Sequence, residues 1–198
     1  MFALIDNQQI TKFFSGNRGV TLGDVQYPKS IFSLWSEAER NAIGIYEVTV
    51  DTTNKKDEQW YINTNVSYGV ESNKAVGSYG TATAKAHADT LWTAQDEIDG
   101  KGTEGEVAAR GLKYNLIKTI KQQAAGILAR TDWYVVRKAD AGTAVPSAIT
   151  THRAAVRTKA AEMETAITNA ADTPALETLY TRDADGVRPL GELPTLDN

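Results

Sequence analysis

The chain's two histidines, His87 and His152, are its first candidates for chemistry. His87-x-Asp89 offers a metal two donors, but a catalytic zinc site needs three protein ligands, and no third stands at helical spacing. The expectation is a surface helix that happens to carry His87. His152 stands beside Ile149 and Val156 and reads as a boundary position. A general base there would need an adjacent nucleophile and a pocket, and the sequence points to neither. Asp183-x-Asp185-Gly186 begins like a calcium loop, with Glu192 nine positions after Asp183. Pro189 interrupts that loop and no ligand stands five positions after its start, so the reading is a turn. Gly77-Ser78-Tyr79-Gly80 and Gly100-Lys101-Gly102 lack phosphate-loop spacing, and no G-x-S-x-G elbow occurs. The expectation is a protein with no catalytic, cofactor-binding or metal-binding residue: not an enzyme, and without a cofactor.

Composition narrows the classes further. The 198 residues are 41% apolar, enough for a core, and length allows one large or two small domains. With 21 basic and 25 acidic residues the net charge is −4, which gives no global case for nucleic-acid binding. Cysteine is absent, so disulfides and thiolate metal sites are excluded. No stretch approaches the roughly 20 apolar residues needed to cross a bilayer. The opening MFALIDNQQITKFF lacks a basic n-region, a long apolar run and a small-residue cleavage site. The expectation is synthesis in the cytoplasm, with no nucleic-acid partner and no membrane insertion.

The elements that position these residues fall into two halves. The predicted fold class is α+β: a β-rich N-terminal domain over residues 1–80, an α-helical hairpin domain over 81–181 and an extended C-terminal tail over 182–198. In the first half, Gly16-Asn17-Arg18-Gly19 is a turn cluster, and Gly23-Asp24 separates Val20 and Leu22 from Val25 and Tyr27. Ser36-x-x-Glu39 has capping-box spacing, and residues 45–51 alternate like a strand. Residues 60–66 look like a returning strand, and 68–83 like a turn and a short strand.

After Gly80 the composition shifts to alanine, lysine and acids. Residues 82–98 are expected to form a helix, broken by Gly100 and Gly102. Apolar residues then recur at three- to four-residue spacing over 104–130, predicting a strong helix, with Gly111 and Gly126 inside it to permit close packing. Its lysines and arginines read as a solvated face. A third helix starts at Pro146 and runs to about Ala171, and Thr173-Pro174 has the form of an N-cap and first turn. The two long helices are expected to form a hairpin rather than a parallel coiled coil, since no heptad register is sustained.

Residues 128–157 hold the pieces with most character. Thr131 or Asp132 can stop the preceding helix by side-chain bonding to the backbone. Trp133 is expected to bury a large surface at the closed end of the hairpin. Arg153 and Arg157 are four apart and share a helix face, so either can stack on Trp133 or pair with Asp132. Trp133, Asp132, Arg153 and Arg157 are therefore the proposed structural or interface residues.

These same pieces carry a resemblance. A helix ending Ala125-Gly126-Ile127-Leu128-Ala129, then Thr131-Asp132-Trp133, a linker, Pro146 and a helix with Arg153 and Arg157 resembles the C-terminal segment of bacteriophage tail-fibre assembly and tail-assembly chaperone proteins of marine or cyanophage type. The likeness spans roughly residues 115–170. The stretch YPKSIFSLWSEAERNAIGIYEV is similar to the opening of small marine-phage tail proteins. The resemblance implies a non-enzymatic structural protein of the virion tail, made in the host bacterial cytoplasm. It would attach or support tail-fibre or baseplate components, with other tail, fibre or baseplate proteins as partners, as an oligomer within the particle. The alternatives are an assembly chaperone not retained in the virion, a receptor-binding fibre or tip protein, and a tail-borne glycan hydrolase. The β-rich first half and the long linker from Trp133 to Pro146 depart from short chaperones and favour a particle component.

Overall fold

The computed structural model describes residues 1–196. They form an α+β protein of two compact units, Met1–Thr83 and the chain from Ala84 onward.

The first unit contains β1 (Phe2–Asp6), β2 (Gln9–Phe14), β3 (Val20–Leu22), β4 (Val25–Tyr27), α1 (Ile31–Leu34), α2 (Glu37–Ala42), β5 (Ile45–Asp51), β6 (Tyr61–Ile62), β7 (Val66–Glu71) and β8 (Lys74–Tyr79), with β9 (Thr83–Ala84) at its boundary. Five strands form one sheet in the order β2-β1-β5-β8-β7, antiparallel except for the parallel β5–β8 pair. Two of its hairpins close through paired positive-φ residues, Asn7-Gln8 and Ser72-Asn73. This is the turn geometry whose twist matches that of paired strands. The sheet curls until its edge strands meet. Phe13 and Tyr68 stack edge-on with ring centroids 5.0 Å apart, and Gln8 Nε2 donates to Asn73 Oδ1 at 2.8 Å. Phe14, Val20, Ile31 and Ile45 are buried at the centre, with Phe2, Phe32 and Trp35 packed round them.

Several predicted features are present. Gly23-Asp24 turns between β3 and β4, residues 45–51 are a strand, and Ser36 and Glu39 cap α2 reciprocally. The predicted returning strand at 60–66 is divided: Tyr61–Ile62 forms β6, and Val66 opens β7, which pairs with β8.

The second unit holds β10 (Thr90–Leu91), α3 (Ala94–Ile98), β11 (Val107–Ala109), α4 (Leu112–Ala129), α5 (Asp132–Ala141), α6 (Ser147–Asn169) and α7 (Thr173–Tyr180). α4 and α6 pack antiparallel, since Lys113 Nζ reaches Thr168 O, Lys121 pairs with Glu164, and Arg153 reaches Leu128 O. Ile120 and Ala124 on α4 meet a buried stripe of Ile149, Val156, Ala160, Met163 and Ile167 on α6. Leu176 on α7 and Leu190 beyond it are also buried.

Three helix predictions need correction. Residues 82–98 are not a helix; only Ala94–Ile98 is helical. The reason lies in α4, whose first amide groups have no partner inside the helix. Leu112 N and Lys113 N donate to Ala86 O and His87 O at 3.0 Å each, and Gly111 N donates to Asp89 Oδ1 at 2.8 Å. Residues 86–89 must run outside a helix to leave those acceptors free. Second, α4 starts at Leu112, not 104: Val107–Ala109 pairs as β11 with β10, and Gly111 is the N-cap. A Cβ on Gly111 would lie 2.2 Å from Ala88 O, so this glycine does serve a close approach, whereas Gly126 has nothing within 4 Å. Third, the linker after Trp133 is itself helical, as α5, ended by Gly142 in the left-handed region at φ 70.

Smaller shifts are one residue long. Pro146 is the N-cap of α6 rather than its first residue, and Asp172, not Thr173, caps α7 by accepting from Ala175 N at 2.8 Å. The expected tail over 182–198 has no regular structure among its described residues but is anchored, with Leu190 N donating to Leu179 O at 3.0 Å. Residues 197–198 of that prediction lie outside the described residues.

Candidate functional site

The corner between α4 and α5 gathers the proposed residues around one carbonyl. Leu128 O, near the C-terminus of α4, accepts from Thr131 N and Thr131 Oγ1 at 3.0 Å each and from Arg153 Nη1 at 2.7 Å. The same Arg153 nitrogen donates to Thr131 Oγ1 at 2.7 Å, and Arg153 Nη2 lies 2.8 Å from Asp132 Oδ1. One guanidinium fork thus holds the end of α4, the connecting residue and the first residue of α5 to α6. A cation at a helix C-terminus also complements the negative end of the helix dipole. Arg153 is 8% exposed, while the Asp132 side chain is exposed. The expectation that Thr131 stops the helix and that an α6 arginine pairs with Asp132 describes this corner.

One expectation for the corner fails, and of the two alternatives for the α6 arginines only the pairing is realised. Trp133 does not bury itself at the closed end of the hairpin; it is 51% exposed. Thr131 fills the buried position instead, and Trp133, in the first turn of α5, is left half exposed. Neither Arg153 nor Arg157 stacks on Trp133: Arg153 is committed to the clamp, and Arg157 stands exposed one turn further along α6. Arg137 stacks on Trp133 in their place, its guanidinium carbon 4.7 Å from the Trp133 ring and 5.5 Å from that of Tyr134. The spacing Trp133-x-x-x-Arg137 is the helical i,i+4 relation, the signal by which sequence reasoning could have found it.

None of the described residues of α5 is buried. Its outward surface carries Trp133, Val135 and Val136, all exposed. Beside it lies a pocket of about 330 Å³ lined by Ile127, Arg130, Tyr134 and His152 among others. His152 is buried against this pocket, and its Nε2 has no hydrogen-bond partner. A helix held rigidly at its base, with an aromatic and aliphatic surface turned to solvent, has the make-up of protein interfaces, where tryptophan, tyrosine and arginine are enriched.

The other candidate residues have structural occupations. Asp89 accepts from Gly111 N and pairs with Arg110 at 2.6 Å, and these contacts hold its carboxyl below the ordinary range. His87 supplies its carbonyl to α4. Asp183 Oδ1 accepts from Asp185 N at 3.0 Å and Val187 N at 2.9 Å, the bonding of a turn, and Glu192 is paired with Arg182 and Arg188. Among the described residues no group of three or more histidines or carboxylates is placed to hold a metal ion, and no helix is long and apolar enough to cross a membrane. No family model, curated protein or solved structure matches the chain.

Proposed function

We propose that this is a non-enzymatic structural protein of a phage virion tail, which attaches or supports tail-fibre or baseplate components. Two things support the reading: the resemblance of residues 115–170 to phage tail-assembly proteins, and the surface those residues carry. The single observation that bears most weight is α5, a helix whose described residues are all unburied, with half-exposed Trp133 and exposed Val136 one turn apart. The Arg153 clamp fixes where that helix points, so its partner meets a preformed surface and loses little freedom on binding. Asp132, Arg153 and Thr131 hold the base, and Trp133, Arg137 and Val136 make the contact.

The test is capture from disassembled phage tails by the immobilised full chain. Wild type is expected to retain fibre or baseplate proteins, and Trp133→Ala to lose most of them, because exposed tryptophans at interface centres commonly carry a large share of binding. Equal retention by the two chains would remove α5 as the docking surface.

A further inference from the structure

Residues 90–109 form an arm. β10 and β11 are its stem, tied by Trp92 N to Glu106 O at 2.9 Å and Gly105 N to Trp92 O at 3.0 Å. α3 stands within it inside a reciprocal cap of Thr93 and Asp96. The indole of Trp92 lies over Gly102, where an added Cβ would come within 2.3 Å of it. None of the described residues 90–110 is buried. A two-stranded hairpin without a core face is marginal in water. This one nevertheless turns apolar side chains outward: Ile98 is 79% exposed, and Leu91 and Val107 are exposed as well. Asp96, Glu97, Asp99, Glu104 and Glu106 surround them against the single cation Lys101, so the arm is an acidic surface with apolar points.

The same unit carries the complementary surface. α4 has three lysines and no acidic residue. Its outward face is a shallow groove of about 490 Å³, lined by Tyr114, Ile117, Lys118, Lys121, Gln122 and Ala125. These positions span roughly 17 Å of helix at 1.5 Å per residue. The basic positions first read as a solvated face therefore flank an apolar strip.

We infer that the arm of one copy docks in the α4 groove of the next, with Ile98 entering the strip and the arm's carboxylates facing Lys118, beside the Lys121–Glu164 pair. Charge selects the pairing: arm against arm or groove against groove would set like charges together, and only arm against groove opposes them. The contact joins two different surfaces, so it propagates head to tail into a ring or an open chain. Its dependence on exposed charges makes it salt-sensitive. It goes beyond the proposed tail role and does not depend on it, since it concerns the purified chain alone.

Sedimentation velocity of the full-length chain at low salt, from micromolar to millimolar concentration, tests it. Wild type is expected to sediment faster as concentration rises, and to return to the monomer value at high salt. Ile98→Lys and Lys118→Glu change exposed side chains and are expected to keep the wild-type circular dichroism while remaining monomeric. Mixed together, the first supplies an intact groove and the second an intact arm, so the mixture should form a one-to-one dimer and nothing larger. A wild-type chain that stays monomeric throughout would overturn the inference. So would a Lys118→Glu chain that associates like wild type, or a mixture that does not dimerise.

Discussion

Replacing Arg153 by alanine tests the corner on which α5 depends. The substitution removes two hydrogen bonds of 2.7 Å and an ion pair of 2.8 Å from a residue that is 8% exposed. Hydrogen bonds to a charged group contribute about 1.5–3 kcal/mol each. The lower end applies here, because Leu128 O keeps both of its Thr131 donors. The pair with exposed Asp132 adds about 0.5 kcal/mol. Losing the packed stem adds about 1 kcal/mol, after allowance for partial collapse of the space. The expected cost is therefore about 4–5 kcal/mol. Arg153→Met keeps the stem and should cost about 1 kcal/mol less, whereas Asp132→Asn should cost under about 1 kcal/mol. Urea unfolding gives the totals, and hydrogen exchange locates them. Faster exchange should appear in α4–α6 amides, while the strands of the first unit keep wild-type protection. A cost below about 1 kcal/mol for Arg153→Ala, or equal loosening of both units, would refute the clamp.

Trp133→Ala should cost about 1–2 kcal/mol, well below Arg153→Ala, because the side chain is only half buried and gives up its stacking on Arg137; urea melts measure it. Gly111→Ala should destabilise the start of α4 by more than about 2 kcal/mol through the clash with Ala88 O, while Gly126→Ala, in open helical space, should stabilise by up to about 1 kcal/mol; paired melts separate the two. The Asp96 carboxyl, held down to about 2 by the hydroxyl and amide of Thr93 and by Lys101, should show that low value in a carboxyl NMR titration. Because its folded pKa is depressed, its contribution to α3 should be complete above the ordinary value near 4 and lost as pH falls towards 2, read as loss of α3 amide protection. An ordinary titration midpoint would mean that the cap does not form.

The sequence carried the local signals well and the long-range ones poorly. The capping box at Ser36, the turn at Gly23-Asp24 and the stripe on α6 are written within a few residues, and all are present. Residues 82–98 have a helical composition, yet their carbonyls are recruited by the start of α4 more than twenty residues later, which no local pattern records. The run 107–109 likewise fits a helical stripe but pairs as a strand with Thr90–Leu91. At the candidate site, the pairing of Asp132 with an arginine of α6 followed from side-chain type and spacing. The fate of Trp133 did not, because an aromatic at a helix junction has the same sequence signature whether it faces in or out. Arg137 stands at i,i+4 spacing from Trp133, a signal that carries meaning only if the segment is helical, and a linker reading of the residues after Trp133 hides it.

The proposed role makes this chain a built-in part of a phage tail. Quantitative mass spectrometry of purified phage particles, searched for this chain, tests the proposal. The account predicts the chain in fixed stoichiometry with the tail and baseplate proteins, retained through washing at high salt. Particles that contain those proteins and lack this chain would contradict it.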